Sequence, residues 1–188
     1  MTHRPAASDA PPRARTPHPI VPFLALLALL AVAALPAGAT VPDYAVADLS
    51  AFSTEVVVGQ VLDATAAWQD WPWGGRVIMT TYTVRVAEVL KGAPEATISV
   101  VVPGGRVGET RILASEAPEL TVGQSAALFL KKDLQGLPRY WVFGLERGVF
   151  DLVGAEARSH APDVAPLQLT TLKAQIRRAV EAQSHDNR

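Results

Sequence analysis

The sequence predicts a mainly β, barrel-like domain with a short helix before it and an amphipathic helix after it. Residues 78–87 fall into two alternating sets, and β-branched and aromatic residues such as Tyr82 and Val84 fill one of them. A period of two in such residues is typical of a strand. A turn at 91–94 separates this run from a second β-type run at 96–102, and further short runs follow as far as residue 153.

The first 39 residues are predicted to be a signal peptide. Three arginines precede an apolar run at 20–35, which ends at Pro36 and is followed by small residues. This layout is that of a secretory leader cleaved after Ala39. The run of 16 residues is shorter than the ~20 that a membrane-spanning helix needs. No arginine pair precedes the apolar run and the chain has no cysteine, so we expect export by the Sec route to the periplasm or the medium.

Composition restricts what the remaining chain, 40–188, can be. It has the length of one domain and a core that needs no disulfide. An exported protein without cysteine fits a bacterial envelope or medium better than the small secreted domains of animals. This part of the chain has 14 basic and 17 acidic residues, a net charge of −3, and no basic stripe, so nucleic acid is not an expected partner. No further apolar run is long enough to anchor it in a membrane.

Four segments are predicted within the exported chain. Residues 40–54 contain a short helix, 55–153 form the barrel, 154–166 form a polar surface linker, and 167–188 form a helix and tail. The final helix carries one apolar stripe. The members of that stripe are Leu169, Leu172, Ile176 and Val180.

The first predicted strand, residues 55–63, contains a run of valines that indicates burial on both faces. Gly59 interrupts that run. A glycine inside a strand is costly unless the strand bends there or another chain segment packs closely against it. A bent first strand that serves two layers is typical of small closed barrels.

A tryptophan-rich segment, 64–76, links the first two strands and is predicted to be a loop. Pro72 and two glycines argue against regular structure, and three tryptophans lie within six positions. Exposed aromatic residues on a loop suit binding; the alternative is that these rings fold back over the barrel mouth. A second loop, 103–106, places an arginine after two glycines, where ordinary turn chemistry is favoured over anion binding. The candidate binding residues are Trp68, Asp70, Trp71, Trp73, Arg76 and Arg106.

The sequence contains no recognisable catalytic or metal-binding motif, and we therefore expect no enzyme, cofactor or metal site. There is no G-x-S-x-G, no S-x-x-K and no cysteine nucleophile. His160 and His185 stand in polar segments and are expected to be solvated, whereas a catalytic zinc site needs three ligands. A hydrolase with two spatially paired carboxylates stays open, with Glu88 as its best strand candidate.

Three blocks carry a resemblance to a known family. They are V-V-V-G-Q-V at 56–61, Y-T-V-R-V-A-E-V-L-K-G at 82–92 and V-G-Q-S-A-A-L-F-L at 122–130. In this order they resemble OB-fold barrels of the netrin-module and tissue-inhibitor-of-metalloproteinase type, and above all cysteine-free bacterial exported proteins with the same blocks. The resemblance implies an OB-like closed barrel of five to seven strands. The animal inhibitors chelate a zinc ion through an N-terminal cysteine that this chain lacks, so no inhibitory residue carries over.

The sequence as a whole predicts an exported, non-catalytic binding protein. The resemblance implies a protein partner, for which a secreted peptidase is one candidate, with this chain as its companion or inhibitor. The alternative is a carbohydrate-binding module for cell-wall glycan, whose sugars would stack on the same tryptophans. A hydrolase is the third hypothesis. Similarity of fold alone is weak support for a function.

Overall fold

A computed structural model describes residues 44–71 and 74–186. The predicted signal peptide and Trp73 lie outside the described residues. The described chain is mainly β with a helix near each end, as the sequence predicts. The first helix, α1, spans Val46–Phe52, and the second, α2, spans Leu169–Asp186.

Among residues 44–71 and 74–186, ten strands lie between the two helices, where the resemblance implies a barrel of five to seven. Most are short, but the first two have 16 residues each. In chain order they are β1 (Glu55–Asp70), β2 (Arg76–Lys91), β3 (Thr97–Pro103), β4 (Gly105–Val107), β5 (Thr110–Ile112), β6 (Ser125–Lys132), β7 (Tyr140–Val142), β8 (Val149–Val153), β9 (Glu156–Ser159) and β10 (Leu167–Gln168).

Eight of these strands form one sheet in the order β1-β2-β3-β7-β6-β8-β9-β10. β1 also pairs with β6, so the pairings from β1 through β2, β3, β7 and β6 return to β1. Only β3 and β7 pair in parallel. β4 and β5 form a separate two-stranded hairpin. The returning pairing gives β1 and β6 a strand on both sides and places them at the centre of the fold.

β6 separates two hydrophobic cores because successive side chains of a strand point to opposite faces. Ala126, Leu128 and Leu130 belong to one core, and Ala127 and Phe129 belong to the other. The first, which we call the inner core, also contains Val57, Val61, Tyr82, Val84, Val100 and Val102. The second, the outer core, also contains Leu49, Val56, Phe150, Ala157, Leu172 and Ile176.

Both helices pack on the outer core. Leu172 and Ile176 of α2 are fully buried there, which confirms the centre of the predicted apolar stripe. The Lys91 ammonium donates hydrogen bonds to the Ser50 carbonyl at 2.7 Å and to the Gln183 side chain at 2.8 Å. One cation at the end of β2 thus joins α1 to α2. Within the described residues, no helix combines the length and apolarity required to cross a membrane.

β1 reaches both of its partners because it is bent near Gly59. Its register with β2 shifts between Val58 and Gly59, and again between Val61 and Asp63. A Cβ atom at Gly59 would lie 2.6 Å from the Val84 side chain and 2.9 Å from a backbone oxygen. The close approach predicted at this glycine is therefore confirmed. Bulges of this kind increase the local bend and twist of a strand.

The segment 154–166 differs from the surface linker that its polar composition suggests. It contains β9, which pairs with β8 across a turn at 154–155, and Ala157 within it is fully buried. One small apolar residue between polar neighbours is too weak a signal to reveal a strand. β7 is short because it ends at Val142 before a 3₁₀ turn at Leu145–Gly148.

The turn after β2 supplies a test of local packing. Gly92 has φ +84°, and a Cβ there would lie 1.5 Å from the Glu55 carboxylate, which is buried and 3.2 Å from the Lys132 ammonium. We expect Gly92→Ala to displace this carboxylate and lower the free energy of unfolding by about 3 kcal/mol, because overpacking against a buried group adds to the left-handed backbone penalty.

Urea denaturation measures the loss of stability in Gly92→Ala, and Gly136→Ala is the matched control. Gly136 also has positive φ, +75°, yet no described atom lies within 4 Å of the added Cβ. The control substitution should lower the free energy of unfolding only by the left-handed backbone penalty of about 1 kcal/mol. Equal losses for the two variants would show that the contact with Glu55 is unimportant.

Candidate functional site

The tryptophan-rich segment is mostly strand, and the prediction of a loop over 64–76 is wrong. β1 continues to Asp70 and stays paired with β2 as far as Arg76. The turn between them is short and is closed by a hydrogen bond from the Trp71 N–H to the Gly75 carbonyl at 2.9 Å. Residues 62–70 of β1 and 76–81 of β2 are called the arm below. Gly74 and Gly75 lie at its tip.

One long edge of the arm is open. The pairing of β1 with β6 ends at Gln60, and Val61 makes the last backbone hydrogen bonds on that side, with residues 123 and 124. Beyond Val61, β1 has β2 as its only strand partner among residues 44–71 and 74–186. The backbone groups that point away from β2 are therefore available along residues 62–70.

The inner face of the arm carries three of the candidate residues together. Trp68 lies opposite Ile78, and Asp70 lies opposite Arg76, so these four side chains share one face. The Arg76 guanidinium carbon lies 5.9 Å from the centre of the Trp68 ring, and its Nε atom lies 3.9 Å from the Asp70 carboxylate. Trp68 keeps 38% of its surface exposed. An aromatic ring with a cation beside it thus stands on an accessible surface.

Trp71 is separated from Trp68 because it packs on the outer face. Its ring meets Trp141 of β7 edge to face, with 6.3 Å between the ring centres. Gln69, which lies on the same side, accepts a hydrogen bond from Arg139 at 2.9 Å. Trp68 and Trp71 therefore lie on different faces, and the Trp71 ring takes part in local packing, which is the alternative that the sequence left open for these rings.

Asp133 fixes the residues behind Trp71. Its buried carboxylate accepts hydrogen bonds from Arg139 Nε at 2.7 Å, from Trp141 Nε1 at 2.8 Å and from the Gln135 N–H at 2.8 Å. Burial alone would raise the pKa of Asp133, but these hydrogen bonds outweigh it and hold the pKa below its ordinary value. The ionised carboxylate therefore orients Trp141, against which Trp71 packs. Sequence reasoning missed Trp141 and Asp133, which no motif connects.

A cleft of about 390 Å³ lies beside the arm, between β2, β3 and the β4–β5 hairpin. Tyr82 and Val102 of the inner core line it, as do Arg106 and Arg111 of the hairpin. The Tyr82 hydroxyl accepts a hydrogen bond from the Leu120 N–H at 3.3 Å. Burial raises the pKa of Tyr82, so this group stays a neutral hydroxyl. The volume is within the range of small-ligand sites.

Close backbone packing holds the hairpin against the arm. The Gly104 N–H donates to the Ile78 carbonyl at 2.8 Å, and the Thr80 hydroxyl donates to the Gly104 carbonyl at 2.8 Å. A Cβ on Gly105 would lie 2.4 Å from that hydroxyl oxygen and 3.1 Å from the Cβ of Ala66. Only glycine allows this approach, so the cleft wall and the arm form one preformed surface.

Arg106, the last candidate residue, lies on this hairpin directly opposite Arg111. Its Nε donates to the Gly108 carbonyl at 3.0 Å, and its guanidinium lies 3.8 Å from Glu109. Arg111 lies 3.9 Å from Glu119. The cleft therefore combines two neighbouring cations with the Tyr82 hydroxyl and apolar side chains. These groups suit the binding of a ligand rather than proton transfer.

The other titratable groups lie elsewhere. His160 is not solvated as predicted: only 16% of its side chain is exposed, and its Nε2 is 2.7 Å from the Asp151 carboxylate. The Glu88 carboxylate forms ion pairs with Lys173 and Arg177 of α2. Glu88 therefore links β2 to this helix. Within the described ranges, no three His, Asp or Glu side chains are grouped so as to hold a metal ion.

Comparison with known proteins assigns no family. No protein-family model matches the chain, and a search of curated proteins gives no match.

The Asp133 network supplies a test of the geometry behind Trp71. Asp133→Asn removes the charge that holds Arg139 and Trp141, and we expect a loss of about 2 kcal/mol in the free energy of unfolding at neutral pH. The folded-state pKa is lowered, so this stabilisation is present above the ordinary pKa of aspartate. It is lost as the pH falls through the lowered value.

Chemical denaturation of wild type and variant between about pH 7 and pH 2 measures this dependence. The difference between the two proteins should shrink towards acid pH. Asp70→Asn is the matched control, because Asp70 is exposed and only loosely paired, and it should change little at any pH. A difference for Asp133→Asn that does not vary with pH would contradict the ionised network.

Proposed function

We propose that this chain is an exported, non-catalytic binding protein that holds an extended segment of a protein partner on the open edge of the arm. The observation that carries the proposal is the unpaired edge of β1 at 62–70 together with the exposed Trp68 beside it. Main-chain pairing would supply affinity, and the side chains of the inner face would supply specificity.

Between Asp63 and Asp70, the open edge lacks the charges, prolines and bulges that usually prevent strand addition. Natural edge strands are short, or carry lysine or proline, or are covered by other segments. Residues 62–70 read L-D-A-T-A-A-W-Q-D and contain neither lysine nor proline. Their small side chains leave the backbone accessible. A partner strand can therefore add to β1 where β6 leaves it.

Trp68 is the anchor that we propose for the partner. Tryptophan contributes large contact area at low entropic cost and is enriched among the residues that dominate binding energy. Arg76 beside the ring adds a cation that is itself exposed and can contact the partner. Trp71 contributes indirectly, because its packing on Trp141 supports the tip of the arm.

We also propose that the five strands with returning pairing form an OB-like closed barrel of the netrin-module and metalloproteinase-inhibitor type. The support is the order β1-β2-β3-β7-β6, the further pairing of β6 with β1 and the parallel contact of β3 with β7. In OB folds the connection between the first two strands is a usual binding element. The arm occupies that position. A secreted peptidase is the partner class that the resemblance suggests.

The binding surface can be mapped by photo-crosslinking in the native host. A crosslinking residue at Ala64, on the open edge, should capture a discrete protein. Trp68→Ala in the same chain should reduce that adduct by roughly tenfold, as loss of a central aromatic anchor does. Val153→Ala, which shortens a more exposed apolar side chain outside the arm, should leave it unchanged. Thermal melting of each variant controls for folding.

Strand addition is then tested with the captured partner after its purification. The amides of residues 62–70 should gain protection from hydrogen exchange when the partner binds. An adduct that is insensitive to Trp68→Ala, or edge amides that stay unprotected, would refute the proposal. Sedimentation with cell-wall glycan that depends on Trp68, without a protein adduct, would establish the carbohydrate alternative instead.

Export makes its own prediction. Protein recovered from the periplasm or medium should begin at Thr40, because the signal peptide is proposed to end at Ala39. Replacing Ala39 with a bulky residue, as in Ala39→Leu, should block cleavage and retain the leader. N-terminal sequencing measures both outcomes. Wild-type protein found only in the cytoplasm with residues 1–39 intact would contradict export.

A further inference from the structure

The two arginines of the cleft form an unusual pair. Arg106 and Arg111 lie directly opposite each other on β4 and β5, where like charges are unfavourable. Their neighbouring carboxylates, Glu109 and Glu119, lie 3.8 and 3.9 Å away, which is too far for a hydrogen bond. Both carboxylates are largely exposed, so these contacts contribute little to stability and can be exchanged for others at small cost.

The two guanidinium groups are exposed and available to a carboxylate ligand, with 65% of the Arg106 side chain and 59% of the Arg111 side chain accessible. Apolar side chains, among them Val102, Ala117 and Pro118, line the same cleft. Next to apolar walls an ion pair is less screened than on an open surface, and arginine binds a carboxylate through two parallel hydrogen bonds. The hairpin that carries both arginines is held in place by Gly104 and Gly105, so the charges are positioned before a ligand arrives.

The cleft adjoins the arm at Thr80, which lines the cleft and lies against Gly105. Gly105 also lies against Ala66 and Ile78 on the arm's inner face, where Trp68 lies opposite Ile78. Because Arg106 directly follows Gly105, a partner segment on the arm lies beside the hairpin that carries the arginines. Alternate residues of such a segment lie on one side, about 6.6–6.8 Å apart. Arginines on paired strands have Cβ atoms about 4.5–5.5 Å apart, and their long side chains cover the difference.

We propose that the cleft binds two carboxylate side chains, separated by one residue, on an acidic extended segment of the partner. This inference rests on the proposed function and names the chemistry of its ligand. Arg106 and Arg111 each take one carboxylate and release Glu109 and Glu119 to solvent. The partner's motif is therefore an acidic residue, any residue and a second acidic residue, in an extended conformation.

Synthetic peptides test the motif with the purified protein by isothermal titration calorimetry. The probes are a capped peptide that alternates threonine and glutamate and its counterpart with glutamine in place of glutamate. We expect the glutamate peptide to bind roughly tenfold or more tightly, with an affinity that falls as salt is added. The double variant Arg106→Gln, Arg111→Gln should lose this preference.

The matched control is Arg158→Gln with Arg178→Gln, which removes the same charge from exposed positions outside the cleft and should bind like wild type. Equal binding of the two peptides, no binding of either, or full binding by the cleft variant would overturn the inference. Inorganic phosphate that binds at the two arginines when the glutamate peptide does not would overturn it too, in favour of a small anion. A Trp68-dependent adduct that persists in the cleft variant would refute this inference and leave the proposed function intact.

Discussion

The double pairing of β1 is the constraint on which the rest of the structure depends. Near its start β1 pairs with β2 on one side and β6 on the other, and the close approach of β2 leaves no room for a side chain at Gly59. The same stretch is buried on both faces, with Val57 in the inner core and Val56 in the outer core. β1 thus contributes side chains to both cores, including the outer core on which the helices pack. Its pairing with both β2 and β6 also completes the returning order of the sheet.

The candidate site follows from the point where this double pairing ends. Beyond Val61, β6 no longer accompanies β1, and the β1–β2 ladder continues alone as the arm. The β4–β5 hairpin packs on the inner face of the arm through Gly105, and the Asp133 network supports the outer face through Trp141. Held from both sides, the arm keeps a fixed position although one of its edges is open. A preformed edge lowers the entropic cost of binding a partner strand.

The site also shows where chemical composition misleads. Three tryptophans close in sequence suggest one exposed cluster, yet Trp68 and Trp71 serve opposite faces of the arm because alternate positions of a strand diverge. The residue that Trp71 meets, Trp141, is 70 positions away, and Asp133 orients it through a hydrogen bond between side chains. His160 shows the same dependence, since its pairing with Asp151 arises only when β8 and β9 form a hairpin.

The sequence by itself determined the mainly β class, the two helices, the strand that contains Tyr82 and Val84, and the close packing at Gly59. Each of these has a local physical signal, because side-chain periodicity and the steric limits of glycine act over a few residues. Tertiary structure alone decided that 64–70 is a strand, that Ala157 is buried, and that Arg106 stands opposite Arg111 beside a cleft. Those features depend on partner strands from distant parts of the chain, which supply the hydrogen bonds and the burial. A pattern of neighbouring residues cannot indicate which distant strands will pair.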